Sequence, residues 1–131
     1  TDLELFERHG KPVVEEVFWN PEKAVEKSAE HLRVQPDGYE TAAVLTMTDQ
    51  EAWELAKALK ERLGEDSVTY MNKDSSRFKK GITVTTFYLA KGLEFDQVFG
   101  VFPKKENPMT GQAKYICATR ALHELYMYER A

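Results

Sequence analysis

Residues 82–99 read Ile82-Thr-Val-Thr-Thr-Phe-Tyr-Leu-Ala-Lys-Gly-Leu-Glu-Phe-Asp-Gln-Val-Phe99. Ile82–Phe87 is rich in β-branched residues, and Gln97–Phe102 is a second apolar run, so both read as strands. Between them lie Lys91-Gly92 and, two residues on, Glu94. How this unit sits in the sheet is read from the flanking sequence.

Outward from this unit, strands alternate with helices. Residues 12–18 form a strand pattern, and Asn20-Pro21 then offers an N-cap with proline at the first helical position. Val25, Ser28, Ala29 and Leu32 follow i, i+3, i+4, i+7 spacing, which predicts a helix ending near Leu32–Val34, before Pro36, Asp37 and Gly38. Ala42–Leu45 reads as a strand covered on both faces. Thr48-Asp-Gln-Glu51 is a capping box, followed by a stripe of Ala52, Leu55, Ala56, Leu59 and Leu63 and a stop at Gly64. Val68–Met71 is a brief strand, and residues 72–81 and 103–112 read as loops. Ala113–Leu122 reads as a helix, and Leu125–Tyr128 as a last strand. Strands separated by helices argue for βαβ units and an α/β fold with a mostly parallel sheet. Ligands of such sheets sit beyond the carboxyl ends of the strands, so the loop after Ile82–Phe87 is the first place to seek chemistry.

Composition narrows the function. The chain has 131 residues, enough for one domain with a real core. Eighteen basic residues against 22 acidic ones leave a net charge of -4, which excludes a protein that coats DNA by overall charge but not a local nucleic-acid site. The mean hydropathy of -0.55 and the lack of a long apolar run predict no membrane span. Cys117 is the single cysteine, so an intrachain disulfide and a cysteine-rich zinc site are excluded. Placed among helix-packing residues, it reads as inert. His9, His31 and His123 lack metal-ligand spacing, so no metal site is expected. The start, Thr-Asp-Leu-Glu, has neither initiator methionine nor signal-peptide character, which predicts an excised piece of a longer cytoplasmic protein.

Two segments carry candidate chemistry. In the first, Lys91 can meet a phosphate as a point charge, Gly92 permits positive φ or close backbone approach, and Glu94 can accept from a sugar hydroxyl. The same residues also make an ordinary tight turn with a solvated lysine. In the second, Tyr115-Ile-Cys-Ala-Thr-Arg-Ala-Leu122 sets one arginine, Arg120, among small and apolar neighbours. A guanidinium there suits a transferring phosphoryl group or a structural ion pair. Lys73, Arg77, Lys79 and Lys80, and separately Lys104 and Lys105, read as solvated loops or phosphate-contacting patches. Trp19 and Trp53 read as packing residues, although Trp53 lies off its helix's apolar stripe and is a candidate to face a neighbouring domain.

Taken together, residues 82–99 resemble motif V, and Tyr115–Ala121 with the following Leu-His-Glu-Leu-Tyr resembles motif VI, of superfamily 1 helicases of the UvrD/Rep/PcrA type, in the family's order. The wording is most similar to the helicase IV-like (HelD) branch. The resemblance implies a C-terminal RecA-like motor domain, called 2A, spanning residues 1–131. ATP and Mg²⁺ would be held mainly by a first RecA-like domain of the same polypeptide. No Gly-x-x-x-x-Gly-Lys-Ser/Thr occurs here, so the piece alone is expected to be inactive. By position, Arg120 would be the arginine finger, and Glu94 would contact the nucleotide with Lys91 and Gly92 beside it. Thr85, Thr86 and Tyr88 would face single-stranded DNA. Tyr88 stands where many relatives have histidine, and it reads equally as a base-stacking or a core tyrosine.

Some features depart from the family. The stretch taken as motif IV, Ala43–Trp53, lacks the family's arginine. The approach to motif VI, Lys104–Lys114, is short, and the large 2B insertion has no counterpart. The resemblance thus implies half of an ATP-driven motor that unwinds duplex, with 3′ to 5′ polarity. The alternative is a HelD-like ATPase that frees RNA polymerase from nucleic acid. A degenerate domain that only binds a partner is a third reading, which Gly92, Glu94 and Arg120 speak against.

Overall fold

Near-continuous apolar runs on strands that lie between amphipathic helices call for a sheet buried on both faces, and the chain builds one. The computed structural model describes residues 13–18, 21–33, 38–74, 81–103 and 108–130. Strand β1 (Val13–Phe18) leads through helix α1 (Pro21–Arg33) to β2 (Thr41–Thr46). Helix α2 (Asp49–Leu63) and a short 3-10 turn precede β3 (Val68–Tyr70) and β4 (Gly81–Thr86). Strand β5 (Phe95–Pro103), helix α3 (Pro108–Arg120) and β6 (Ala121–Arg130) complete the order. The six strands lie in the order β1-β6-β5-β2-β4-β3. All five pairings are parallel.

The period-2 pattern sorts the core into two layers. Ala42, Val44, Ile82, Val84, Phe99, Val101, Tyr126 and Tyr128 point to one face, where α1 and α2 contribute Val25, Ala29, Leu32, Leu55 and Leu59. Ala43, Leu45, Val98, Phe102, Leu125 and Met127 point to the other, against Ala113, Ile116 and Cys117 of α3. Gly100 lets α3 come close: a Cβ there would lie 2.6 Å from the Phe102 ring and 3.2 Å from Cys117 Sγ.

The Thr48 cap forms as the sequence suggests. Its hydroxyl accepts from the Glu51 amide at 3.2 Å and donates to the Glu51 carboxylate at 2.9 Å. Gly64 closes α2 at φ 103°, its N–H bonded to Lys60 O at 2.9 Å. Trp53 stands exposed on α2, with the Lys57 ammonium 5.4 Å from its ring centroid.

Element starts differ from the sequence reading most at three places. Helix α3 starts at Pro108, so residues 108–112 are helical rather than loop. Proline suits the first helical position, and Thr110 is already buried beneath the helix. Strand β6 starts at Ala121, directly after Arg120, because it pairs with β1 on one side and β5 on the other. Strand β5 starts at Phe95, which is fully buried and in register with Ala121. The expectations for His9, Pro12, Trp19, Asn20, Pro36, Asp37, Arg77, Lys79, Lys80, Lys104 and Lys105 lie outside the described residues. Among the described residues no helix is long and apolar enough to cross a membrane.

Candidate functional site

In a parallel sheet the segment joining β4 to β5 must return from the carboxyl end to the amino end. Residues 87–94 do so across the α3 face. The Phe87 amide bonds to Thr46 O at 2.9 Å, and Phe87 and Ala90 are buried in the layer beneath α3. Turn hydrogen bonds tighten the segment, from Lys91 N to Tyr88 O at 3.5 Å and from Leu93 N to Ala90 O at 3.0 Å. Gly92 has φ +83°, and a Cβ there would meet nothing within 4 Å. The glycine is therefore needed for its left-handed backbone, not for lack of room.

This crossing divides the candidate residues between two ends of the sheet. At the carboxyl end, a pocket of about 520 Å³ is lined by Asp49, Asn72, Lys73, Asp74, Thr86, Tyr88 and Leu89. Tyr88 is 64% exposed, and the Lys91 ammonium lies 4.6 Å from its ring centroid. The structure thus places Lys91 with the exposed tyrosine. Thr86 is buried and its hydroxyl accepts from the Leu89 amide at 3.3 Å. Thr85 is fully buried inside the sheet, its hydroxyl without a hydrogen-bond partner among the described residues. Of the three residues expected to face a nucleic-acid strand, only Tyr88 presents a broad surface. The Tyr70 hydroxyl donates to Asp49, and that bond is the main cause holding the phenol above its usual range, with burial and the Asp49 charge adding to it.

The amino end holds the other group. Phe95 and Ala121 are register partners, and Glu94 and Arg120 immediately precede them. Glu94 is exposed and Arg120 half-buried. The Arg120 Nε donates to the Thr119 hydroxyl at 3.3 Å, and the guanidinium makes no salt bridge among the described residues. Both residues thus stand at the amino end of the sheet, at the starts of neighbouring strands, and they are the two to which the family resemblance assigns the γ-phosphate and the nucleotide.

Sequence reasoning missed the residues that surround this pair. Between Phe95↔Ala121 and Gln97↔Glu124, β6 carries one residue more than β5, a bulge that sets Leu122 and His123 opposite Asp96. His123 lies 3.6 Å from Asp96 and stacks on Tyr39, ring centroids 5.0 Å apart. Asp96 follows Glu94 by two residues and His123 follows Arg120 by three, so proximity to both motifs was the signal available. Among the described residues no group of three or more His, Cys, Asp or Glu is arranged to hold a metal. Cys117 is wholly buried, which pushes its thiol up to about 12 and leaves it protonated.

Among solved structures, the chain is similar to the C-terminal domain of a possible DNA helicase from Lactobacillus plantarum WCFS1, with 28% sequence identity and a TM-score of 0.76. The match covers 94% of this chain and 76% of that one. No family model and no curated protein sequence matches. The likeness agrees with the α/β architecture and supports a helicase-domain role.

Proposed function

We propose that this chain is the C-terminal RecA-like motor domain of an ATP-dependent DNA helicase or translocase of superfamily 1, on its helicase IV-like branch, moving 3′ to 5′. The observation that carries the proposal is the placement of Arg120 and Glu94 just before the register partners Ala121 and Phe95, at the amino end of the sheet, with the guanidinium in no salt bridge among the described residues. The likeness to a possible DNA helicase's C-terminal domain supports the same reading.

These residues fit a nucleotide as one wall, not as a cradle. Arg120 supplies a planar cation suited to a phosphoryl group, and Glu94 supplies an acceptor suited to a ribose hydroxyl. A phosphate loop is missing from this sequence, so the wall must close on a partner domain that has one. ATP and Mg²⁺ bound there would supply the phosphoryl-transfer chemistry. Arg120 would add charge stabilisation as the two domains close, and Glu94 would orient the sugar.

The carboxyl end is suited to a single strand. Tyr88 offers a wide aromatic face, and stacking on such a face tolerates any base. The pocket beside it carries Asn72, Lys73 and two aspartates, a mixture that suits base edges better than a run of phosphates. Residues 87–94 run from this end to the Glu94–Arg120 edge. A shift of one domain against another at the nucleotide wall would therefore be passed to the strand through a single short segment.

The test is strand displacement by the intact protein on a partial duplex, with an RNA polymerase pull-down in parallel. ATP-dependent unwinding without polymerase capture supports the proposal. Polymerase capture without unwinding overturns it in favour of a polymerase-remodelling ATPase.

A further inference from the structure

The amino edge of the sheet contains a closed ring of contacts around Asp96. Its Oδ2 accepts from the Glu40 amide at 2.7 Å, the Thr41 amide at 3.0 Å and the Thr41 hydroxyl at 3.3 Å. The Asp96 amide donates back to the Thr41 hydroxyl at 3.0 Å. Its Oδ1 faces His123 Nε2 at 3.6 Å. Tyr39, next to Glu40, closes the ring by stacking on the His123 imidazole with planes 9° apart. One carboxylate thus ties the approach to β2, the start of β5 and the bulge of β6.

This ring holds three chain segments where Glu94 and Arg120 emerge. The His123 side chain is 52% exposed, and an ion pair at such a surface adds little to stability. Its leverage is geometric. The bulge lies directly after Ala121, so the placing of Arg120, the last residue of α3, depends on how the start of β6 is held there. A displacement of about 1 Å in a positioning element can cost about 100-fold in rate.

We infer that Asp96, His123 and Tyr39 are positioning residues for the Glu94–Arg120 wall. They aim the guanidinium without touching the nucleotide themselves. The inference rests on the nucleotide-wall reading above and assigns to that site residues its chemistry does not otherwise need.

The test compares Asp96→Asn, His123→Ala and His123→Gln with Arg120→Ala in the intact protein, measuring ATP turnover and thermal stability. Asp96→Asn retains an acceptor for the Glu40 and Thr41 amides but loses the charge facing His123. His123→Gln retains a planar polar group at the bulge. The expected result is a roughly 10-fold loss of kcat in Asp96→Asn and His123→Ala, with KM for ATP within about 2-fold, and substantial recovery in His123→Gln. Loss of turnover in Arg120→Ala with unchanged kcat in Asp96→Asn and His123→Ala overturns the positioning role alone. So does a change in stability or in KM without a change in kcat. Full turnover in Arg120→Ala overturns the nucleotide wall and the positioning role with it.

Discussion

Arg120 and Glu94 each stand one residue before a register pair, Ala121 and Phe95, so the end of α3 and the end of the 87–94 crossing emerge side by side. Slipping β6 by one residue against β5 would turn Leu125 and Met127 to the wrong face, so burial fixes their register, and the bulge between Phe95↔Ala121 and Gln97↔Glu124 then sets where the end of α3 meets the start of β5.

Tyr88 is expected to act on strand binding and hardly on folding. Truncating an exposed side chain changes stability by about 0.5 kcal/mol or less, whereas a base stacked on an aromatic ring is worth about 1–3 kcal/mol. Tyr88→Ala in the intact protein should raise the Kd for a single-stranded oligonucleotide between about 5-fold and 100-fold, and Tyr88→Phe should retain most of the affinity. Fluorescence anisotropy checks this. An unchanged Kd in Tyr88→Ala would remove the tyrosine from the strand path.

Asp96 gives the fold an acid-sensitive contribution. Partial burial pushes its carboxyl up, but hydrogen bonds from the Glu40 and Thr41 amides and the Thr41 hydroxyl, with the nearby His123, outweigh that and hold it below the usual carboxylate range. A lowered folded-state pKa adds stability that is fully present above the unfolded value, near pH 4, and is lost as pH falls through the folded value. Denaturant unfolding of the wild type and Asp96→Asn should therefore show a gap at neutral pH that narrows below about pH 4. A gap constant across that range would contradict the assignment.

Two glycines should respond in opposite directions to alanine. At Gly100 an added methyl would press on the buried Phe102 ring and on Cys117, so Gly100→Ala should lose about 1–3 kcal/mol by overpacking. At Gly111, within α3, nothing lies within 4 Å of the added Cβ, so Gly111→Ala should gain up to about 1 kcal/mol from helix propensity. Urea midpoints decide both. Equal shifts in the two variants would show that α3 does not pack on Gly100 as described.

Much of the architecture can be read from the sequence because its signals are local. The Thr48 cap, the Ala52–Leu59 stripe and the Gly64 stop each depend on neighbours within a few residues, and each forms. The early start of α3 is less legible. Gly111 and Pro108 look like loop residues until Thr110 and Ala113 are seen buried beneath the helix. The division of the site into two ends is not legible at all, since it depends on a parallel crossing that carries residues 87–94 from one end of the sheet to the other. The family resemblance implies that Thr85 faces a strand of nucleic acid, but it stands beside Leu45 on the face that α3 covers and is fully buried. The Asp96–His123–Tyr39 ring joins residues from three separate segments, and the sequence signals it only by the nearness of Asp96 and His123 to the two motifs.

The measurement closest to the central claim is ATP turnover of Arg120→Ala in the intact protein, with nucleotide binding measured on the same preparation. An arginine that stabilises a transferring phosphoryl group is worth roughly 10³–10⁵ in rate. The account predicts a loss of that order with nucleotide binding retained. Near-normal turnover in the variant would contradict it.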